Sequence, residues 1–132
     1  MAFFKKIIIN KIENYENYNL NQKLQAFSKS LGLFTERDKE RSCFRMFILL
    51  LKATKKDEPM TSDELAYKLN LSRGTVIHHL NKLIDAGIAN SKYNKYLLRT
   101  SSLSELVNLI KKDVCDEIKK IDNLAKELDK KI

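Results

Sequence analysis

"LSRGTVIHHLNKLIDAG", residues 71–87, has the pattern of a short amphipathic helix. Ser72 can cap its start, and Gly87 can end it because glycine readily adopts the left-handed conformation that follows many helices. Four apolar residues at helical spacing form the side expected to be buried: Val76, Leu80, Leu83 and Ile84. The opposite side carries polar and basic groups, so the flanking elements decide what this helix does.

The segment upstream predicts a second, shorter helix. Pro59 interrupts the chain, and Thr61 with Glu64 forms a T-x-x-E capping box. This helix should run from Ser62 to about Leu69, and its inner face consists of Leu65, Ala66 and Leu69. The "NLS" between the two helices reads as a tight turn. The pair therefore predicts a helix-turn-helix.

A third helix and a hairpin complete the predicted domain. Thr35 can cap a helix with Glu36 and Asp38 in its first turn, and "CFRMFILLLKA" makes its second half apolar on nearly every side. After Gly87, residues 88–91 and 95–99 predict two strands with a turn near Tyr93-Asn94. We therefore expect a mainly α fold, a winged helix-turn-helix with a three-helix core and a β-hairpin wing, over residues 35–100.

The flanks predict two further helical segments. Residues 1–34 should form an N-terminal helical extension, whose apolar stripe of Leu20, Leu24, Phe27 and Leu31 ends at Gly32. Residues 101–132 should form a long C-terminal helix behind an S-x-x-E capping box of Ser102 and Glu105. Its apolar residues repeat in near-heptads, which predicts a dimerisation surface: Leu103, Val107, Ile110, Val114, Ile118, Ile121, Ala125 and Leu128.

Charge and composition limit the possible partners. The net charge is +8, whereas the seven basic and seven acidic residues of 101–132 cancel, so the excess lies before that helix. A basic domain favours an anionic partner.

The longest purely apolar run, residues 46–51, is far shorter than the roughly 20 residues that cross a bilayer, so no membrane is expected. "MAFFKKIII" is a poor secretion signal, and two distant cysteines form no disulfide framework, which predicts a cytoplasmic protein.

The side of the quoted helix left after burial is suited to DNA. It offers hydroxyl, guanidinium, imidazole, amide and ammonium groups. Ile77 suits a thymine methyl, and Gly74 permits close approach to the DNA backbone. The residues expected to face DNA are Ser72, Arg73, Gly74, Thr75, Ile77, His78, Asn81 and Lys82. The helix start itself attracts phosphate. Near the hairpin tip, Lys92 and Lys95 are either solvated turn residues or phosphate contacts, and the domain favours the contact.

These motifs together resemble a known family. "LSRGTVIHHLNKLIDAGI" is similar to the recognition helix of the arsenical-repressor-like (ArsR-type) winged-helix regulators, whose pattern is a leucine, a serine, T-V-x-H-H-L and an A-G ending. "YLLRTSSLSELVNLIKKDVCDEIKKIDNLAKELDKKI" is similar to archaeal members whose long C-terminal helix pairs two subunits. The resemblance covers about residues 35–132. It implies that the hairpin reaches a flanking groove and that five residues face DNA: Ser72, Arg73, Thr75, Ile77 and His78.

Metal, redox and catalytic chemistry are disfavoured. In this family, metal sensors carry either a C-x-C pair on the helix before the recognition helix or histidine ligands on the last helix. Here the helix before the recognition helix reads "LAYKL", and the last helix lacks histidine. Adjacent His78 and His79 point about 100° apart, so we expect His78 to face DNA or solvent and His79 to pack at the domain edge. Cys43 suits the core, and a redox switch at Cys115 is the weaker alternative. No metal or cofactor is expected.

Two functions from different classes fit these features. The leading one is a homodimeric, sequence-specific DNA-binding transcription regulator, a repressor that occupies a pseudo-palindromic operator. The rival is a winged-helix protein-interaction module that docks in a larger assembly. A docking module need not keep small, polar and basic groups over residues 73–82, as this chain does. An enzyme is a distant third, because no nucleophile or carboxylate pair accompanies the histidines.

Overall fold

Five helices and a three-stranded sheet make up the described part of the chain, which covers residues 4–33 and 41–132 of a computed structural model. In chain order the elements are α1 (Leu20–Ser30), α2 (Ser42–Lys55), β1 (Met60–Thr61), α3 (Ser62–Leu69), α4 (Arg73–Asp85), β2 (Ala89–Lys92), β3 (Lys95–Leu98) and α5 (Leu103–Asp129). The mainly α winged helix-turn-helix with a long C-terminal helix is confirmed.

The hydrophobic core is built around α2. Phe47 and Leu50 are completely buried there, and Leu65 of α3 and Leu83 of α4 pack into the same cluster with no exposed surface. Burying an apolar side chain of this size stabilises the fold by about 1.5–3 kcal/mol. The apolar half of α2 is thus central, as predicted. The predicted cap at Thr35 lies outside the described residues, and the described helix begins at Ser42.

Hydroxyl caps set the starts of the last three helices. In each, a side-chain oxygen accepts a hydrogen bond from the N–H three residues on: Thr61 from Glu64 (3.1 Å), Ser72 from Thr75 (3.2 Å) and Ser102 from Glu105 (3.3 Å). These caps are confirmed. In a full capping box the glutamate side chain would in turn accept from the N–H of the capping residue. Here the Glu64 carboxylate instead accepts from the Thr61 hydroxyl (3.2 Å), and the Glu105 carboxylate accepts from the Thr100 hydroxyl (2.7 Å).

The wing forms at the predicted place and gains a third strand. The antiparallel sheet has the order β1-β3-β2, with Ala89 opposite Leu98 and Met60 opposite Tyr96. Tyr93 and Asn94 both have positive φ, 53° and 61°, as a two-residue hairpin turn of type I′ requires. Strand β1 was not predicted, since two residues are too few to show an alternating pattern.

Over its described residues, 4–33, the N-terminal extension is helical only in α1. Leu24, Phe27 and Leu31 are partly buried as predicted, and the Phe27 ring stacks on Phe47 with centroids 6.2 Å apart. Leu20, however, is 76% exposed, so its place in the buried stripe was wrong. It is the first residue of α1 and lies at the end of the helix away from the core contact.

A buried ion pair joins α5 to the rest of the domain. Arg99 Nη1 donates to Asp113 Oδ2 at 2.7 Å, and the two side chains are only 8% and 10% exposed. The same Nη1 also donates to the carbonyl oxygen of Gly87 at 3.0 Å. The guanidinium therefore links the end of α4, the end of the wing and the middle of α5.

Asp113→Ala should lower the free energy of unfolding by about 3–5 kcal/mol, because it removes the carboxylate from a buried guanidinium. Urea denaturation followed by circular dichroism measures this change. The matched control is Asp122→Ala, whose pair with Lys126 (3.0 Å) is exposed, and it should cost at most about 1 kcal/mol. Equal losses in the two variants would show that burial of the Arg99–Asp113 pair adds nothing.

Candidate nucleic-acid interface

The two sides of α4 differ sharply in burial. Val76, Leu80 and Leu83 have at most 1% of their surface exposed, because they pack into the core. Gly74, His78 and Asn81 lie on the opposite side at spacings of four and three residues, and all three are exposed. One face of the helix therefore fixes it to the domain, and the other remains open to a partner.

The ten residues predicted to bind DNA all keep accessible surface. Seven are exposed: Ser72, Arg73, Gly74, His78, Asn81, Lys92 and Lys95. Three are half-buried: Thr75, Ile77 and Lys82. Ile77 packs partly against the hydrophobic core, so only part of its side chain remains for a partner.

The first turn of α4 presents its polar groups in a defined arrangement. The Ser72 hydroxyl donates to Thr75 Oγ1 at 2.8 Å while it accepts from the Thr75 N–H, which holds both hydroxyls at the helix start. Arg73 Nε lies 3.9 Å from Asp63 Oδ1, with both side chains about three-quarters exposed. Such an exposed pair contributes little, so the guanidinium can exchange this carboxylate for another anion.

The wing tip concentrates positive charge. Lys92 and Lys95 face each other as a cross-strand pair at the ends of β2 and β3. Like charges in this position are unfavourable by themselves, and a bound anion would offset the repulsion. Lys92 Nζ also lies 5.6 Å from the ring centroid of Tyr93, which is 87% exposed. Tyr93 was interpreted only as a turn residue, although an exposed aromatic ring beside a lysine suits a nucleic-acid surface.

The histidine pair divides as expected. His78 is exposed and His79 is buried at 9%, with ring centroids 5.6 Å apart and tilted by 57°. Over residues 4–33 and 41–132, no group of three or more His, Cys, Asp or Glu side chains is placed to hold a metal ion. Cys43 is buried in the core, as predicted, and Cys115 is exposed on α5.

The predicted dimerisation residues of α5 divide into two groups. Ile110 is 5% exposed within the core of its own domain, and Leu103 and Val114 pack partly against that core. Ile110 is therefore not available to a second subunit. The remaining five are exposed: Val107, Ile118, Ile121, Ala125 and Leu128. Leu124, at 54% exposed, adjoins them, although the heptad series did not include it.

Part of the chain matches a known protein family. Residues 48–91 match the model of the family described as "bacterial regulatory protein, arsR family". Residues 48–91 are an ArsR-family regulator domain. The match runs from the second half of α2 through α4 into β2. No curated protein and no solved structure matches the chain.

The ArsR-family match gives the chain a function class. Helix-turn-helix domains of this family bind DNA, so the match supports a DNA-binding transcription regulator and points away from an enzyme. Within the part of the chain that the structure describes, no helix combines the length and hydrophobicity needed to cross a bilayer.

Gly74→Ala separates the stability of α4 from its contact with DNA. A Cβ at this position meets no atom within 4 Å, and alanine favours the helix by up to about 1 kcal/mol, so the midpoint of thermal unfolding should not fall. If Gly74 approaches the DNA backbone closely, the same methyl group should weaken DNA binding. Gel shifts with a fragment that binds the wild-type chain measure this effect. Unchanged affinity would show that α4 leaves room for a side chain there.

Proposed function

We propose that the chain is a homodimeric, sequence-specific DNA-binding repressor that acts in the cytoplasm. The observation that carries this proposal is the exposed polar face of α4, held on a basic domain by an opposite face that is fully packed. An α-helix fits the major groove of B-DNA, and a face of this composition can contact base edges there. Residues 35–100 would form the DNA-binding unit and residues 101–132 the dimerisation helix.

Within this proposal, the residues of α4 have different roles. Arg73, at the helix start, can form a bidentate contact with guanine, and Asn81 can do the same with adenine. Ser72 and Thr75 hold hydroxyls at the helix N-terminus, where phosphate binds well. The contacts of Gly74, Ile77, His78 and Lys82 would complete the surface. This assignment rests on their shared face and exposure.

The wing would increase the affinity for DNA without recognising particular bases. Lys92 and Lys95 extend from the tip of the hairpin, and lysine ammonium groups at such positions bind backbone phosphates. Each phosphate neutralised in this way makes binding more dependent on salt. The wing would therefore strengthen binding to all sequences alike.

The dimer is proposed from the free end of α5. The helix has 27 residues, and every residue from 118 onward is exposed in the single chain. Ile118, Ile121, Leu124 and Leu128 follow one another at helical spacing, and each is about half exposed. A patch of this kind marks an interaction site. A second copy of α5 has a complementary patch and the same balanced charge, so a two-fold axis would cover both.

A dimer of this kind defines the operator. Two copies of α4 would enter successive major grooves about 34 Å apart, so the two half-sites should form a pseudo-palindrome. Repression would follow from occupancy, because a dimer on such a site excludes other proteins from the same DNA. A protein-docking module would instead leave DNA unbound, so selection of DNA by the wild-type chain distinguishes the two functions.

Arg73→Ala should weaken binding to a selected operator by about 1–3 kcal/mol and relax the preference at one base pair. The operator is selected from random-sequence DNA with the wild-type chain, and affinity is then measured by gel shift at two salt concentrations. Lys68→Ala on α3 removes one positive charge outside the proposed surface and serves as the control. No enrichment of any sequence by the wild-type chain would contradict the proposed function, and unchanged affinity and preference would remove Arg73 alone.

Ile121→Asp should convert the dimer to monomers and weaken DNA binding, because it places an unpaired charge in the proposed seam. Sedimentation velocity at micromolar concentration measures the oligomeric state. Asn123→Asp adds the same charge two residues away, at an exposed position outside the apolar series, and should leave the dimer intact. A wild-type chain that sediments as a monomer would contradict the dimer.

A further inference from the structure

Residues 4–12, which we call the N-terminal strap, lie against the C-terminal end of α4. The N–H groups of Lys5 and Lys6 both donate to the carbonyl oxygen of Asp85, at 2.7 and 3.1 Å. Phe4 closes against Gly87, where an added Cβ would lie 3.3 Å from the Phe4 Cβ. The first part of the strap is therefore fixed directly to the end of the helix that we propose reads DNA.

The other part of the strap is fixed to the end of α1. The Asn10 N–H donates to the Ser30 carbonyl oxygen at 2.8 Å, and its side-chain amide donates to that of Lys29 at 2.9 Å. Ile8 packs on Gly32 so closely that a Cβ there would lie only 2.8 Å from the Ile8 Cβ. Contacts at both ends define the path of this extended segment, which no helical or strand periodicity in the sequence indicates.

The strap is strongly basic and borders the exposed face of α4. Lys5, Lys6 and Lys11 are all exposed, and residues 4–12 contain no acidic side chain. Lys6 lines an open cleft of about 290 Å³ together with residues of α4 that include His78, Asn81 and Lys82. Because His78 and Asn81 remain exposed beside it, the strap borders this face without covering it.

We propose that the N-terminal strap extends the DNA-binding surface, with Lys5 and Lys6 binding phosphates along the edge of the groove that α4 enters. This inference rests on the proposed function and adds a contact surface outside the helix-turn-helix and the wing. The main-chain N–H groups of both residues already donate to the Asp85 carbonyl oxygen, so the side-chain ammonium groups would bind the phosphates. Phosphates flank a bound helix on both sides of the groove, and side chains next to it can reach them.

Lys11 provides a contrast within the same segment. It lines a different hollow, next to Glu13 and to Lys29 of α1, whereas Lys6 lines the cleft at α4. Each hollow is lined by one carboxylate, Glu13 beside Lys11 and Asp85 beside Lys6, but only the cleft of Lys6 contains residues of α4. Position against α4, rather than charge alone, therefore selects Lys6, and Lys5 is included because its N–H also bonds to the Asp85 carbonyl oxygen at the end of that helix.

The test is the double variant Lys5→Gln/Lys6→Gln in the full chain, which preserves the main-chain bonds to Asp85. We expect it to bind the selected operator and an unrelated duplex about 10-fold or more weakly near 0.15 M salt. The slope of log affinity against log salt should fall by about 1.8, which is close to 0.9 for each of two phosphates that the variant no longer neutralises. Lys119→Gln on α5, combined with Lys130→Gln just after the helix ends, removes the same charge from exposed positions outside the strap and α4. It should leave both quantities almost unchanged, as should Lys11→Gln.

The outcomes separate this inference from the proposed function. Wild-type binding with an unchanged slope in Lys5→Gln/Lys6→Gln would overturn the role of the strap and leave the proposed function standing. Tighter binding by that variant would also overturn it, since the strap would then hinder α4. A loss equal to that of Lys119→Gln/Lys130→Gln would assign the effect to net charge and contradict a local contact. A wild-type chain that binds no DNA would contradict both proposals.

Discussion

The contact between Arg99 and Asp113 determines how the parts of this domain are arranged. The guanidinium reaches the carbonyl of Gly87, where α4 ends, while its carboxylate partner belongs to α5 and Arg99 itself follows β3. Three elements that are separate in sequence therefore meet at one buried group. Because a buried charge is tolerated only with its partners in place, the angles between α4, the wing and α5 are tied together. The surface that we propose binds DNA is formed by α4 and the wing, two of the elements that meet at this junction.

Helix α5 serves two environments along its length. Its first half belongs to the core, where Leu106 is completely buried and Ile110 nearly so. Its second half leaves the domain and carries apolar side chains in solvent. One near-heptad pattern thus covers two kinds of contact, within the chain and, as we propose, between chains. Burial distinguishes them where sequence spacing does not.

The sequence predicted the elements whose signals are local. Caps at Thr61, Ser72 and Ser102 and the turn at Tyr93-Asn94 were identified because each depends on residues only a few positions apart. The exposed face of α4 followed from the burial of Val76, Leu80 and Leu83. The burial of Ile110 and the path of the strap depend on contacts between distant segments, such as Lys5 with Asp85. Those contacts leave no periodic pattern in the sequence.

The projection of α5 beyond the domain has a mechanical consequence. The portion after Asp113 is about 24 Å long at 1.5 Å per residue, and in the single chain every residue from 118 onward is exposed, so the domain holds this portion only at its near end. Such an arm acts as a lever, so a bend of about 5° displaces its far end by about 2 Å. In the proposed dimer, the separation of the two domains would then be elastic. Operators whose half-sites differ slightly in spacing could be accommodated by flexing this arm, while each domain remains rigid.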